Sequence, residues 1–188
     1  MDFLQFFRLF HPISDVNFEL LTSNFKSRSF RKNEFITMPG QVQKEIYFVE
    51  KGTQMSYFEN GDKIHVIAFT YPPNISAIPD SFYFQSPSDY YLKCLTDSEM
   101  YYLHYETVQK IFDRSQEIER LFRKMTEAVL AGIITRHKEL QTLSMEERYL
   151  AFCRRSPQLL QLVPHKYIAS YLGIDSTNFS KLYNSVKI

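Results

Sequence analysis

The sequence has no tryptophan, two cysteines and five glycines among its 188 residues. Cys94 and Cys153 stand far apart and share no metal-ligand spacing. That argues against a zinc or iron–sulfur site built on cysteine and makes a reduced, cytoplasmic setting the expectation. The glycines form no phosphate-cradling loop. No apolar run approaches the length of a membrane-spanning helix, so no membrane partner is expected. The opening Met1-Asp2-Phe3-Leu4-Gln5-Phe6-Phe7-Arg8 has neither a basic start nor a small-residue cleavage site, unlike a signal peptide. His11, His65, His104, His137 and His165 are scattered, with no spacing such as HExxH. Neither a metal, a cofactor nor an enzymatic activity is therefore expected.

Aromatic residues are abundant, with 17 Phe and 13 Tyr, and Phe and Tyr favour strands. The length fits one large domain or two small ones. Net charge is +1, unevenly placed: residues 1–135 hold 14 Lys and Arg against 17 Asp and Glu, residues 136–188 hold 8 against 4. A mildly acidic body with a basic end hints at nucleic acid.

Residues 1–25 read as short helices broken at Pro12, and residues 28–105 as a series of strands. Ile46-Tyr47-Phe48-Val49 is a buried strand closed by Gly52. Asn60-Gly61, between Met55–Phe58 and Ile64–Phe69, is a hairpin signal. Pro72, Pro73 and Pro79 place a loop over 71–79. Tyr90–Leu95 and Met100–Tyr105 read as two more strands, and Phe82-Tyr83-Phe84 as further aromatic strand. Such spacing suggests a barrel or sandwich.

From about Val108 the period becomes helical, and residues 116–142 hold no proline. Ile118, Phe122, Met125, Val129 and Gly132 follow a 4-3-4-3 spacing, a coiled-coil seam. Leu130, Ile133 and Ile134 lie off that seam, so a second face is also covered. The stretch reads either as one core helix or as a dimer helix packed on its twin along one face and on the β-body along the other. Ser144-Met145-Glu146-Glu147 is a capping box that starts a new helix over roughly 145–154.

Residues 165–184, HKYIASYLGIDSTNFSKLYN, fit two short helices joined at Gly173. Ile168 and Leu172 face inward, Ala169 allows a close crossing, and Gly173 supplies a positive φ. Ile174 plugs the corner, Asp175 or Ser176 caps the second helix, and Phe179 and Leu182 complete the core. This resembles the helix-turn-helix of bacterial transcription regulators; the alternative is a hairpin that packs only against protein. In a helix-turn-helix the second helix enters the major groove, which makes Ser176, Thr177, Asn178, Lys181 and Asn184 candidate DNA contacts, with Lys166 on the backbone. Arg148, Arg154 and Arg155 form a basic cluster nearby.

Phe35-Ile36, Gly40-Gln41, Ile46–Val49 and Gly52 resemble the first half of the cyclic-nucleotide-binding β-roll. Gln43 stands where that family usually has a small residue. Placed before a long helix and a helix-turn-helix, the pattern resembles the Crp/Fnr family of transcription regulators over nearly the whole chain. The resemblance implies an α+β fold. An antiparallel double-stranded β-helix, a jelly-roll-like sensor, covers 1–110, a dimerisation helix 111–142, and a DNA-binding domain 143–188. It implies double-stranded DNA and a second copy of the chain as partners, together with RNA polymerase and a small-molecule effector of unknown identity.

Cyclic-AMP binders hold the phosphate with a Gly-Glu pair and, some ten residues on, an Arg. Here Ile75–Phe82 and Ser86–Tyr90 contain neither, and Asp89 sits near the place of the Arg. A phosphate there meets a like charge, so cyclic AMP is not the expected effector. Ser81, Phe82, Ser88, Asp89 and Tyr90 remain as the candidate effector pocket. The family's Arg-Glu-x-x-x-Arg spacing on the recognition helix is replaced by Ser176, Thr177 and Lys181, so a different operator is expected. The sequence stops at Ile188, and the expectation is that the usual β-wing, with its phosphate contacts, is missing.

Overall fold

In the computed structural model, residues 2–185 are described. Helices α1 (Phe3–Arg8) and α2 (Asp15–Thr22) precede strands β1 (Lys26–Phe30), β2 (Phe35–Thr37), β3 (Glu45–Lys51), β4 (Gln54–Asn60), β5 (Lys63–Thr70) and β6 (Asn74–Ser76). Helix α3 (Pro79–Phe84), strands β7 (Tyr91–Cys94) and β8 (Ser98–His104) and helix α4 (Tyr105–Arg114) complete the N-terminal part. The long helix α5 (Gln116–Thr142) leads to α6 (Met145–Arg155), α7 (Leu159–Leu162), α8 (His165–Leu172) and α9 (Ser176–Ser185). The fold is α+β, as expected. The expectation about a wing concerns chain past Ser185 and lies outside the described residues.

Two four-stranded antiparallel sheets, ordered β1-β8-β3-β6 and β2-β7-β4-β5, face each other as a roll. Strand β3 shows why its sequence is apolar without alternation. Tyr47 and Val49 point into the roll with Phe30, Cys94, Met100 and Tyr102. Ile46 and Phe48, one residue out of phase, meet α1, α4 and α5 on the other face. Gly52 then turns the chain at φ +97°, and a Cβ there would come within 2.3 Å of Ser98 Oγ, so only glycine fits.

Four expectations need correction. Residues 71–79 are not all loop: between the prolines, Asn74–Ser76 pair with Tyr47–Val49 as β6. Phe82-Tyr83-Phe84 is helix, not strand, because Pro79 at the first helical turn fixes φ and needs no amide partner. The hairpin turn is Gly61-Asp62, one residue later than Asn60-Gly61, since Asn60 pairs with Lys63. The largest correction concerns α5. Ile118, Phe122 and Met125 are buried with Leu121 against the chain's own roll and N-terminal helices, so a partner cannot reach them. Arg136 and Leu140 continue that same face of the helix, at about 100° per residue.

Val129 and Gly132 are exposed. With Val129 at 51%, Leu130 at 56%, Ile133 at 55% and Ile134 at 60% exposure, α5 does carry an open apolar surface. Its centre line runs through Thr126, Leu130, Ile133 and His137. This has the same 4-3-4 spacing as the seam read from sequence, about a quarter-turn round the helix from it.

Candidate nucleic-acid interface

The C-terminal helices close on a core of Tyr149, Phe152, Cys153, Leu159, Val163, Ile168, Ala169, Leu172, Ile174 and Phe179, with Leu182 half-buried. Ser144 starts α6 through a complete capping box: its hydroxyl accepts the Glu147 amide, and Glu147 reaches back to the Ser144 amide at 2.8 Å. Gly173 ends α8 in the left-handed region at φ +61°, where the Ile174 amide folds back to the Ala169 carbonyl at 2.9 Å. Asp175, not Ser176, caps α9. Its Oδ1 accepts the amides of Thr177 at 2.8 Å and Asn178 at 3.4 Å. Those bonds hold the Asp175 carboxyl below its usual pKa.

Thr177, Ser180, Lys181 and Asn184 are exposed and share one face of α9, within an arc of about 100°. Ser176 flanks this face. Asn178 is half-buried and lies off it, apart from the other candidates. Ser180 was missed in the sequence, although the spacing 177, 180, 181, 184 marks a single helical face; its hydroxyl donates to the Ser176 carbonyl at 2.9 Å. Lys166 is exposed at the start of α8, its Nζ 5.0 Å from the Tyr167 ring centroid. The Asp175 carboxylate takes two of the amides at the start of α9 and adds negative charge there.

The basic cluster divides. Arg148 donates to the carbonyls of Leu143 at 2.9 Å and Gly173 at 3.3 Å, tying the helix junctions together. Arg155 pairs with Glu139 through two bonds, one at 2.8 Å. Arg154 is exposed.

The candidate effector residues divide between buried and exposed surroundings. Ser81 is buried, accepts the Gln43 amide at 2.9 Å and donates to the Ser86 carbonyl at 2.7 Å. Phe82 points into the outer core, edge-on to Tyr105. Ser88 is buried and closes a local turn on Tyr90. Asp89 is exposed, and Tyr90 packs edge-on to Phe58. Gln43, which links Ser81 through its backbone amide and Thr37 of β2 through its side chain, is buried. Its Oε1 accepts from Thr37 Oγ1 and from the Ile78 amide, both at 3.0 Å, and its Nε2 donates to the Glu45 carbonyl at 2.9 Å.

A small crevice lies elsewhere, lined by Arg136, Leu140, Arg148 and Tyr171. Its volume of about 10 Å³ has room for no more than one water. Burial pushes the Cys94 thiol up to about 11 and raises that of Cys153, so both stay protonated and unreactive. Among the described residues, no three His, Cys, Asp or Glu side chains are grouped to hold a metal, and no helix is long and apolar enough to cross a membrane.

This arrangement of roll, long helix and two-helix hairpin recurs in solved structures. FixK2 from Bradyrhizobium japonicum superposes with a TM-score of 0.73 at 18% identity, over 85% of this chain and 83% of that one. The catabolite activator protein of Thermus thermophilus gives 0.60 at 18%, over 94% and 85%. A protein assigned to the Crp/Fnr family from Eubacterium rectale gives 0.70 at 12%, over 92% and 82%. The chain thus has a Crp/Fnr-like fold. No protein-family model matches the sequence, and neither does any curated protein.

Proposed function

We propose that this protein is a homodimeric, sequence-specific DNA-binding transcription regulator of the Crp/Fnr type, working in the cytoplasm. The observation that carries this reading is the free polar face of α9. Thr177, Ser180, Lys181 and Asn184 stand exposed on a helix whose opposite side is anchored by Phe179 in the hairpin core. Hydroxyls, an amide and one cation on such a face suit base edges and phosphates in the major groove. The open stripe on α5 suits a second copy, since paired heads and paired half-sites go together. For the roll, the buried Gln43 and the exposed Asp89 support a regulator that does not respond to cyclic AMP. Selection of bound duplexes from random DNA, followed by anisotropy titration over a salt series, tests the reading. The expected result is an enriched pseudo-palindrome and a steep salt slope.

A second reading has its own support: Asp175 at the start of α9 and the internal use of Arg148 and Arg155 lower the positive charge offered to DNA. In that reading the hairpin binds protein, and the selection enriches nothing.

A further inference from the structure

Strand β5 is the edge of its sheet and carries one extra residue. Ser56 pairs with Ala68 but Tyr57 with Val66, which leaves Ile67 as a bulge. A bulge turns backbone groups out of the ladder, and here two other parts of the chain take them up. The Val66 amide donates to Ser170 Oγ at 3.0 Å, and Ser170 Oγ donates on to the Ile64 carbonyl at 2.7 Å. The Arg136 guanidinium donates to the carbonyls of Ile67 at 3.0 Å and Val66 at 3.2 Å. It also reaches the Tyr171 carbonyl at 2.6 Å and lies 4.1 Å from the Tyr171 ring centroid. Tyr71 and Ser156 meet at 2.7 Å, and Phe69 packs on Tyr171. The roll, the long helix and the C-terminal head are thus joined at one short stretch of β5.

In this seating the face of Thr177, Lys181 and Asn184 and the stripe of Leu130 and Ile133 are both open. The head is therefore docked in a way that leaves both DNA and a second copy free to bind.

We propose that Ser170 and Arg136 are positioning residues that seat the head on the β5 bulge, so that a dimer presents its two α9 faces at one fixed separation. This rests on the DNA-binding reading of α9. Once one head is bound, the second meets its half-site at an effective concentration set by how stiffly it is held. Fixed heads select one half-site spacing and gain affinity there. Loosened heads accept several spacings and bind each less tightly.

The test uses the full chain and three variants: Ser170→Ala, Arg136→Gln, and Ser170→Thr, which keeps the hydroxyl. Without DNA, hydrogen exchange at the Val66 amide should quicken in Ser170→Ala and return toward normal in Ser170→Thr; unchanged exchange in Ser170→Ala overturns the seat itself. With DNA, duplexes carry two copies of the selected half-site at centre-to-centre spacings around the helical repeat of about 10 base pairs, alongside a single half-site control. The native chain should peak at one spacing. Ser170→Ala and Arg136→Gln should flatten that profile and lose about tenfold at the peak, with single half-site affinity unchanged. An unaltered profile, or tighter binding in the variants, overturns the positioning role. If the native chain binds no DNA, the DNA reading falls and this role with it, while Val66 exchange still reports whether the seat exists.

Discussion

Gln43 Oε1 accepts the backbone amide of Ile78 at 3.0 Å inside the roll. The bond joins the segment before β3 to the segment before α3, 35 residues apart. Thr37 shares the same oxygen, and the Glu45 carbonyl takes the amide nitrogen, so both ends of the Gln43 side chain are satisfied. A buried network with a partner at each end of the side chain favours one arrangement of its surroundings.

The first prediction follows from that network. Gln43→Ala leaves the Ile78 amide and the Thr37 hydroxyl buried without their acceptor. The expected loss is about 2–3 kcal/mol in urea unfolding, the desolvation cost of orphaned buried groups. Titration of the native protein with cyclic AMP should show no saturable heat. Heat that saturates at micromolar ligand would mean that the Gln43 side chain swings out and the place opens.

The second prediction separates the two faces of α5. Leu130→Asp with Ile133→Asp should yield folded monomers by light scattering and circular dichroism, since each apolar side chain contributes up to about 1.5–3 kcal/mol when covered. Ile118→Asp should instead unfold the chain, because it puts a carboxylate into the buried core between the roll and helices α1, α4 and α5. A double variant that keeps the dimer mass would place the interface elsewhere.

That contrast shows where the sequence was legible and where it was not. The helix-turn-helix core was readable residue by residue, because Ile168, Ala169, Leu172, Gly173, Ile174 and Phe179 each meet a local geometric demand. The capping box at Ser144 was readable for the same reason. Along α5, two apolar stripes overlap, and periodicity alone does not say which one the chain itself covers. The seat of Ser170 and Arg136 was invisible, since its bonds to β5 cross 69 to 106 residues and depend on a bulge that no residue type announces. Gln43 was noticed as a departure from the family pattern, but its buried partners Thr37 and Ile78 come from other segments and could not be read from it.

A third prediction concerns acid. Asp175, Glu147 and Glu117 all have lowered pKa values, each because backbone amides donate to the carboxylate: Thr177 and Asn178, Ser144, and Ser14 respectively. A carboxylate with a depressed folded pKa adds stability above its unfolded pKa, near 4, and that share disappears as pH falls through the folded value. Thermal midpoints should hold from neutral pH to about 5 and then fall. Glu147→Gln should make that fall shallower. A midpoint that rises on acidification would contradict the assignment.

The last prediction concerns the charge at the start of α9. Asp175 stabilises the helix through the Thr177 amide, and it also sets a carboxylate at the start of the helix whose exposed face is proposed to meet DNA. Asparagine caps a helix start as well as aspartate does, without the charge. Asp175→Asn should therefore leave the melting temperature nearly unchanged and raise affinity for all duplexes alike, by a few-fold at low salt and less at high salt. Lys181→Ala should act in the opposite sense. If Lys181 meets only phosphate, binding weakens on every sequence and the salt slope flattens by about one unit. If it reads a base, the loss is about 1–3 kcal/mol and confined to one position of the site. In the double variant the two effects should add within about 0.5 kcal/mol if each residue meets DNA independently. A larger departure would mean that the Asp175 carboxylate draws the Lys181 ammonium back from the groove in the native protein, so that releasing it needs the asparagine first. Should neither substitution change binding to any duplex, α9 is not a reader, and the hairpin's exposed face serves a protein partner.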